Sequence, residues 1–284
     1  MSFLDGTSLL TELLQPLPTF REVPRAAQLP LADLTSSLCS AAASAAADST
    51  EAERAWKLLL LHHRLLLWAP AAERAAGRAR RRAQQELVLD RLGRAVRGDW
   101  EGLLEEAQAE ATAARARRAG AAASTGLAGK AVAGEVIRRV SLGDLGRAAQ
   151  LLGQAKVAAP SPEVRDELQS LLVTLAAERG LLPTDHSSDE EVPARDLATA
   201  LRKAPRSSGA GPSGSRFTHW QACQLSASSM AALGQVVNLV ASGRVPTGAA
   251  AALALTCLTP LRKKNGRLRP VAAGEALRRL TGKG

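Results

Sequence analysis

Hydrophobic and polar positions alternate along most of this chain with helical spacing, and the densest apolar segment sets its first element. Residues 51–68, EAERAWKLLLLHHRLLLW, are apolar around much of a helical circumference, which predicts a buried helix with Trp56 and Trp68 as core anchors. Glu51 and Glu53 fall in its first turn, where the helix dipole favours acids. Pro70 ends it, Ala71 to Arg97 reads as a second helix, and Asp99 after Gly98 is placed to cap a third from Trp100 to Ala116. Three short helices are expected, over Glu135 to Val140, residues 141–154, and Ser161 to Arg179 with Pro162 in its first turn and Gly180 as C-cap. After the acidic, turn-rich stretch Pro183 to Pro193, helical patterning returns at 196–204, from about Phe217, at Ser229 to Ser242 and at Thr247 to Leu255, with a last turn or two at Glu275 to Thr281. Before these elements, Pro16, Pro18, Pro24 and Pro30 interrupt residues 1–50, predicting a loosely organised leader with a short helix near Leu31 to Ala46.

One stretch breaks the helical rhythm. Leu258 to Lys263 and Arg267 to Ala272 flank Asn265-Gly266, the strongest short hairpin signal, which predicts a two-residue type I′ turn with positive φ at both central positions. Pro270 then belongs where no ladder hydrogen bond is needed. Arg262, Lys263, Lys264, Arg267 and Arg269 place five cations on this ribbon, an arrangement that suits a polyanionic partner. A solvated edge hairpin protected by its charges is the other reading of the same residues.

Charge sharpens the picture. The formal net charge is +10, yet from Leu197 onward there are 13 Lys and Arg against one acid, Glu275, so the first 196 residues carry a net −2. The basic excess lies wholly in the last third, as expected of a phosphate-facing surface. Most apolar residues are Ala and Leu, tyrosine is absent, and the richness in Ala, Leu, Arg and Glu favours helices, so the class is mainly α. Cys39, Cys223 and Cys257 are far apart without metal spacing and fit reduced thiols in an intracellular protein, in nucleus or cytoplasm. The first residues show no signal peptide and no apolar run reaches transmembrane length, so no membrane association is expected.

Several motifs are excluded on inspection. His62 and His63 are adjacent, point about 100° apart on a helix and belong in a core rather than on one metal ion. His186 sits among acids in the turn-rich stretch and reads as exposed, and the basic run Gly77 to Gln85 reads as a solvated face. Gly129-Lys130 lacks the first glycine of a P-loop, having Ser124 there, and has Ala131 where Ser or Thr is needed. Gly209-Ala-Gly211-Pro-Ser-Gly214 spells a dinucleotide fingerprint but follows a helix, and no Asp occurs after Asp196. It reads instead as a flexible, basic-flanked loop whose exposed amides contact backbone phosphate. No hydrolase, zinc or kinase signature is present.

The last third resembles the front end of the reverse transcriptase domain of non-LTR (LINE-type) retrotransposons. Ala200 to Trp220 resembles the segment that opens the fingers, Leu239 to Leu253 the connector, and Leu258 to Lys283 the fingers hairpin with its Arg-Pro-aliphatic motif and Gly-Glu-x-x-Arg-Arg helix. Ala55 to Pro70, Gly98 to Leu104 and Ser141 to Leu152 are similar to the helical region ahead of that domain, so the likeness spans roughly 50–284. It implies a leader at 1–50, a helical region at 51–182, a linker and Gly-rich loop at 183–214, and a small, incomplete α+β fingers-like segment at 215–284 with one β-hairpin. By position, Lys263 and Arg269 match residues that contact the incoming triphosphate or template, with Arg262, Lys264 and Arg267 beside them. Lys203, Gly211 and Gly214 match the opening loop near the template backbone. In the complete family two Mg ions held by palm carboxylates support RNA-directed DNA polymerase activity. Those carboxylates are missing here, so a truncated element is expected, without cofactors, catalytic residues or polymerase activity, that binds RNA or DNA. The alternative is a helical interaction or scaffold protein whose basic tail binds an acidic protein partner or an anionic membrane surface.

Overall fold

A computed structural model describes residues 3–46, 49–70, 78–121, 158, 161–179, 191–206, 208–263 and 265–282, with positions 134, 136, 137 and 140. The helices with described bounds are α1 (Phe3–Gly6), α2 (Leu9–Leu14), α3 (Arg25–Ser44), α4 (Thr50–Leu67), α5 (Arg78–Val96), α6 (Trp100–Ala121), α7 (Pro162–Arg179), α8 (Ala194–Lys203), α9 (Phe217–Trp220), α10 (Ala227–Ala241), α11 (Thr247–Ala254) and α12 (Ala276–Thr281). A 3-10 turn, Gln221–Leu225, follows α9, and strands β1 (Thr256–Arg262) and β2 (Leu268–Gly274) pair as a two-stranded antiparallel sheet before α12. The fold is therefore mainly α with one small sheet near the C-terminus. Among the described residues no helix is long and apolar enough to cross a membrane. The expected P-loop decoy at 124–131, the helix over 141–154, Gly180 and His186 lie outside the described residues.

The chain divides into two compact units that do not follow its sequence order. The first gathers 1–123, 188–255 and 274–284, and the second gathers 124–187 and 256–273. The described part of the leader, 3–46, and the Gly-rich loop at 208–214 both belong to the first unit.

The leader is not loose. Helix α3 spans twenty residues with Pro30 inside it. Proline lacks the N–H that would bond the carbonyl four residues back, but Pro30 is only the sixth residue of the helix, so one bond is lost near an end. Against that loss stands a stripe at Ala27, Leu31, Thr35, Leu38 and Ala42, all buried at helical spacing. Helix α3 packs against α4, α5, the 3-10 turn and, most extensively, α10, whose buried Ser229, Ala232, Leu233, Val236 and Val237 repeat with the same period. Ser229 Oγ donates to Ala32 O across that interface at 3.1 Å. Upstream, Thr19 and Trp68 form an antiparallel bridge, in which Phe20 N donates to Leu67 O at 2.7 Å and Ala69 N to Pro18 O at 2.8 Å. The proline-rich strap thus closes the end of α4.

Helix α4 starts as its sequence prescribes. Ser49 Oγ accepts from Ala52 N at 3.0 Å, with Glu51 and Glu53 in the first turn. At its other end Arg91 of α5 is buried, donates to Leu66 O and Trp68 O, and lies 3.6 Å from the centre of the Trp68 ring. Asp99 caps α6 through Gly102 N at 3.2 Å and also pairs with Arg94.

In the second unit, Ser161 Oγ accepts from Val164 N to cap α7, with Pro162 as first helical residue. The buried face of α7, Val164 with Leu168 and Leu171, packs with Ala158 on Leu268 of β2.

Candidate nucleic-acid interface

The turn between the strands differs from the two-residue form. Gly266 N donates to Lys263 O at 3.0 Å, Lys263 N donates to Arg267 O at 2.9 Å, and Gly266 is the described turn residue with positive φ, at 79°. That is the hydrogen-bond pattern of a three-residue loop closing on a G1 bulge, in which only the glycine needs the left-handed conformation. Carried along the two seven-residue strands, this register sets Leu268 opposite Arg262 and Pro270 opposite Pro260 at non-hydrogen-bonded pairs. Both prolines then lack an N–H only on the outward edge, as Pro270 requires. Two outward groups find partners on the unit's other segment: Pro260 O accepts from Ala158 N at 2.9 Å, and Leu268 N donates to Glu167 Oε1 at 3.2 Å.

The same register sorts the cations. Residues opposite one another share a face, so Lys263, Arg267 and Arg269 lie together on one face, with Thr259, Leu261 and Val271. The other face carries Leu268 onto α7. Lys263, Arg267 and Arg269 are exposed, and no carboxylate lies within ion-pairing distance of them among the described residues. Arg262 belongs to the face that meets α7, but its guanidinium turns back to donate to Gly266 O at 3.1 Å and stays exposed at the turn. Lys264 lies outside the described residues.

The Gly-rich loop is where the expectation fails. Gly211 to Ser215 are all buried, and their amides are taken. Gly211 N donates to Ser215 O, Gly214 N to Gly211 O, Ser215 N to Ser213 Oγ, and Ser213 N to Glu275 Oε1. Ser213 Oγ adds a 2.7 Å bond to Glu275 Oε2, while Thr19 Oγ1 donates to Gly214 O at 2.6 Å. Gly211 and Gly214 therefore do not face phosphate. Their backbone is pressed against Gly274-Glu275 and against Thr19, too close for side chains. Lys203, in the last turn of α8, is exposed but belongs to the first unit, whereas the hairpin cations belong to the second.

The loop ends in a cluster that sequence reading only half anticipated. His62 and His63 are buried as expected, but His219 joins them: the His62 and His63 ring centres are 3.8 Å apart, and His63 and His219 5.2 Å. Trp220 meets both α4 imidazoles edge-on. His62 Nδ1 donates to Leu59 O at 2.6 Å, so its Nε2 accepts from Thr35 Oγ1 at 3.1 Å. His219 Nε2 donates to Phe20 O at 2.8 Å, and His63 Nδ1 meets Ser215 Oγ at 3.1 Å. Burial lowers His62 to about 4 and His219 to about 3, and takes His63 well below its ordinary range, so the cluster is neutral at pH 7. Burial also raises Glu275, against the pull of its bonds from Ser213. Among the described residues no group of three or more His, Cys, Asp or Glu is arranged to hold a metal ion.

Comparison with protein families, curated proteins and solved structures finds no match to this chain. What could have flagged the buried network is the isolation of Glu275. A single carboxylate among thirteen cations is a natural internal partner for main-chain donors.

Proposed function

We propose that this chain is a retroelement-derived, reverse-transcriptase-like protein that binds RNA or DNA through one face of its C-terminal hairpin. Lys263, Arg267 and Arg269 form the contact, and Arg262 extends it at the turn. The observation that carries this reading is the gathering of three exposed cations, with no carboxylate in ion-pairing distance among the described residues, on one face of a short two-stranded ribbon. Each pair of unit charges some 6 Å apart in water costs roughly 0.7 kcal/mol, and Lys263 directly opposes Arg267. A phosphate strand removes that repulsion and releases its own counterions on contact. The family half of the proposal rests on the three ordered sequence blocks between Ala200 and Lys283. The opening-loop glycines are withdrawn from the contact set, and Lys203 is not needed for it.

The test is fluorescence anisotropy with labelled RNA and DNA oligonucleotides of about 20 nucleotides, the scale of a short heteroduplex. Lys263→Ala with Arg269→Ala weakens binding of every sequence by a similar factor. Arg202→Ala with Lys203→Ala, equally costly in charge, leaves it near wild type. Equal losses in the two double variants mean that net charge alone drives association and reject the hairpin as the site.

A further inference from the structure

We propose that Ser208 is a phosphorylation site and that Arg279 and Arg216 form a receptor already assembled for the phosphoserine. Ser208 is half-buried on the loop after α8, between exposed Arg206 and exposed Gly209. Arg279 Nη1 donates to Ser208 Oγ at 2.8 Å and Arg279 Nη2 to Gly209 O at 2.8 Å, while Arg216 Nη1 donates to Ser208 O at 3.1 Å. Two guanidinium groups from distant parts of the sequence thus converge on one serine, and the two acceptors that Arg279 meets there are neutral. Arg279 is held against the Phe217 ring, 4.8 Å from its centre, so little side-chain freedom remains to be lost. The nearest acid along α12, Glu275, has its two oxygens committed to Ser213, and no carboxylate is within ion-pairing distance of Arg279 among the described residues. A phosphate on Oγ would bring close to two negative charges and three strong acceptors to that place.

The segment before the serine suits a kinase that reads basic residues, since Arg202, Lys203 and Arg206 are exposed on its N-terminal side. The donor is a nucleoside triphosphate held by that external kinase. The bond from its terminal phosphorus to the bridging oxygen breaks and the Ser208 Oγ–P bond forms. The nucleoside diphosphate departs, and the hydroxyl proton passes to the kinase's base. Once formed, the phosphoserine ties Ser208 and Gly209 more firmly to Arg279 of α12. All these residues lie in the first unit, so the proposal stands or falls apart from the hairpin reading.

Phosphoserine installed at position 208 of the full chain during translation tests the receptor, read by the phosphorus-31 shift against pH and by thermal unfolding. The second phosphate ionisation is expected to fall clearly below its ordinary value of about 6, and Tm to rise by a few degrees. Arg279→Gln should return both to ordinary values, and Arg216→Gln should do so in part. An ordinary ionisation with an unchanged or lowered Tm overturns the receptor. In parallel, the unmodified chain is treated with a basophilic kinase and labelled ATP. Label at Ser208 supports the site, and label confined to other serines of the native chain rejects it.

Discussion

Gly211 has no room for a methyl group. A Cβ there would stand 2.7 Å from Glu275 Cα and 2.9 Å from Gly274 O, and one at Gly214 would stand 2.6 Å from Thr19 Cγ2 on a backbone with φ of 78°. Gly211→Ala and Gly214→Ala are each expected to destabilise the protein by about 1–3 kcal/mol, the usual range for overpacking, read as a lower urea midpoint. These glycines were legible as special, but their reason was not. The spelling G-x-G-x-x-G suggests an open loop, whereas the need arises from Glu275 and Thr19, which no local pattern connects to them. The histidines set a second expectation at this scale. Their folded-state values lie below the ordinary 6.5, so between there and about 4 the unfolded chain binds more protons. Stability is then full above about 6.5 and falls as the pH drops toward 4, by on the order of 2–3 kcal/mol for His62 alone. Glu275 acts in the opposite sense, because its raised value means the folded state takes up its proton first. The nearby positive charge of Arg216 further opposes protonation of His219. Urea midpoints measured from pH 7.5 to 4.5 should fall for the wild type and fall less for His63→Phe. A flat profile would mean the imidazoles are not buried together.

At the level of elements, the hairpin was the most legible part of the chain, since Asn265-Gly266 between two apolar-containing runs leaves few other structures. Its turn type was not, because a two-residue and a three-residue loop share the same glycine and differ in which residues the ladder closes on. Helix α3 was the least legible. Four prolines in thirty residues argue for breakage, and only the stripe from Ala27 to Ala42 argues for continuity; burial against α10 decides between them. Pro30→Ala restores a main-chain donor without touching the buried stripe. It should stabilise the protein by on the order of 1–3 kcal/mol, a higher urea midpoint with an unchanged slope. A loss of stability would show that Pro30 shapes the helix it interrupts.

On the scale of the whole molecule, the chain divides into two discontinuous units, and one change between them falls between 187 and 188. The other boundaries were hidden because each unit is discontinuous. The hairpin leaves the unit of the helices on either side of it, and the strap at 18–23 joins residues about 200 positions later through Thr19, Phe20 and Arg21. Composition cannot show such closures, because their partners are ordinary carbonyls and hydroxyls. The charge asymmetry, by contrast, was fully visible in sequence and supports the proposed polyanion contact. The most direct measurement is therefore the affinity for a labelled nucleic acid across salt concentrations from 50 to 200 mM, where such contacts weaken steeply. A hairpin that engages three phosphates predicts log K falling with log salt at a slope near −2 to −3, shallower by about two in the Lys263→Ala, Arg269→Ala double variant. A slope identical in wild type and variant, or one near zero, contradicts it.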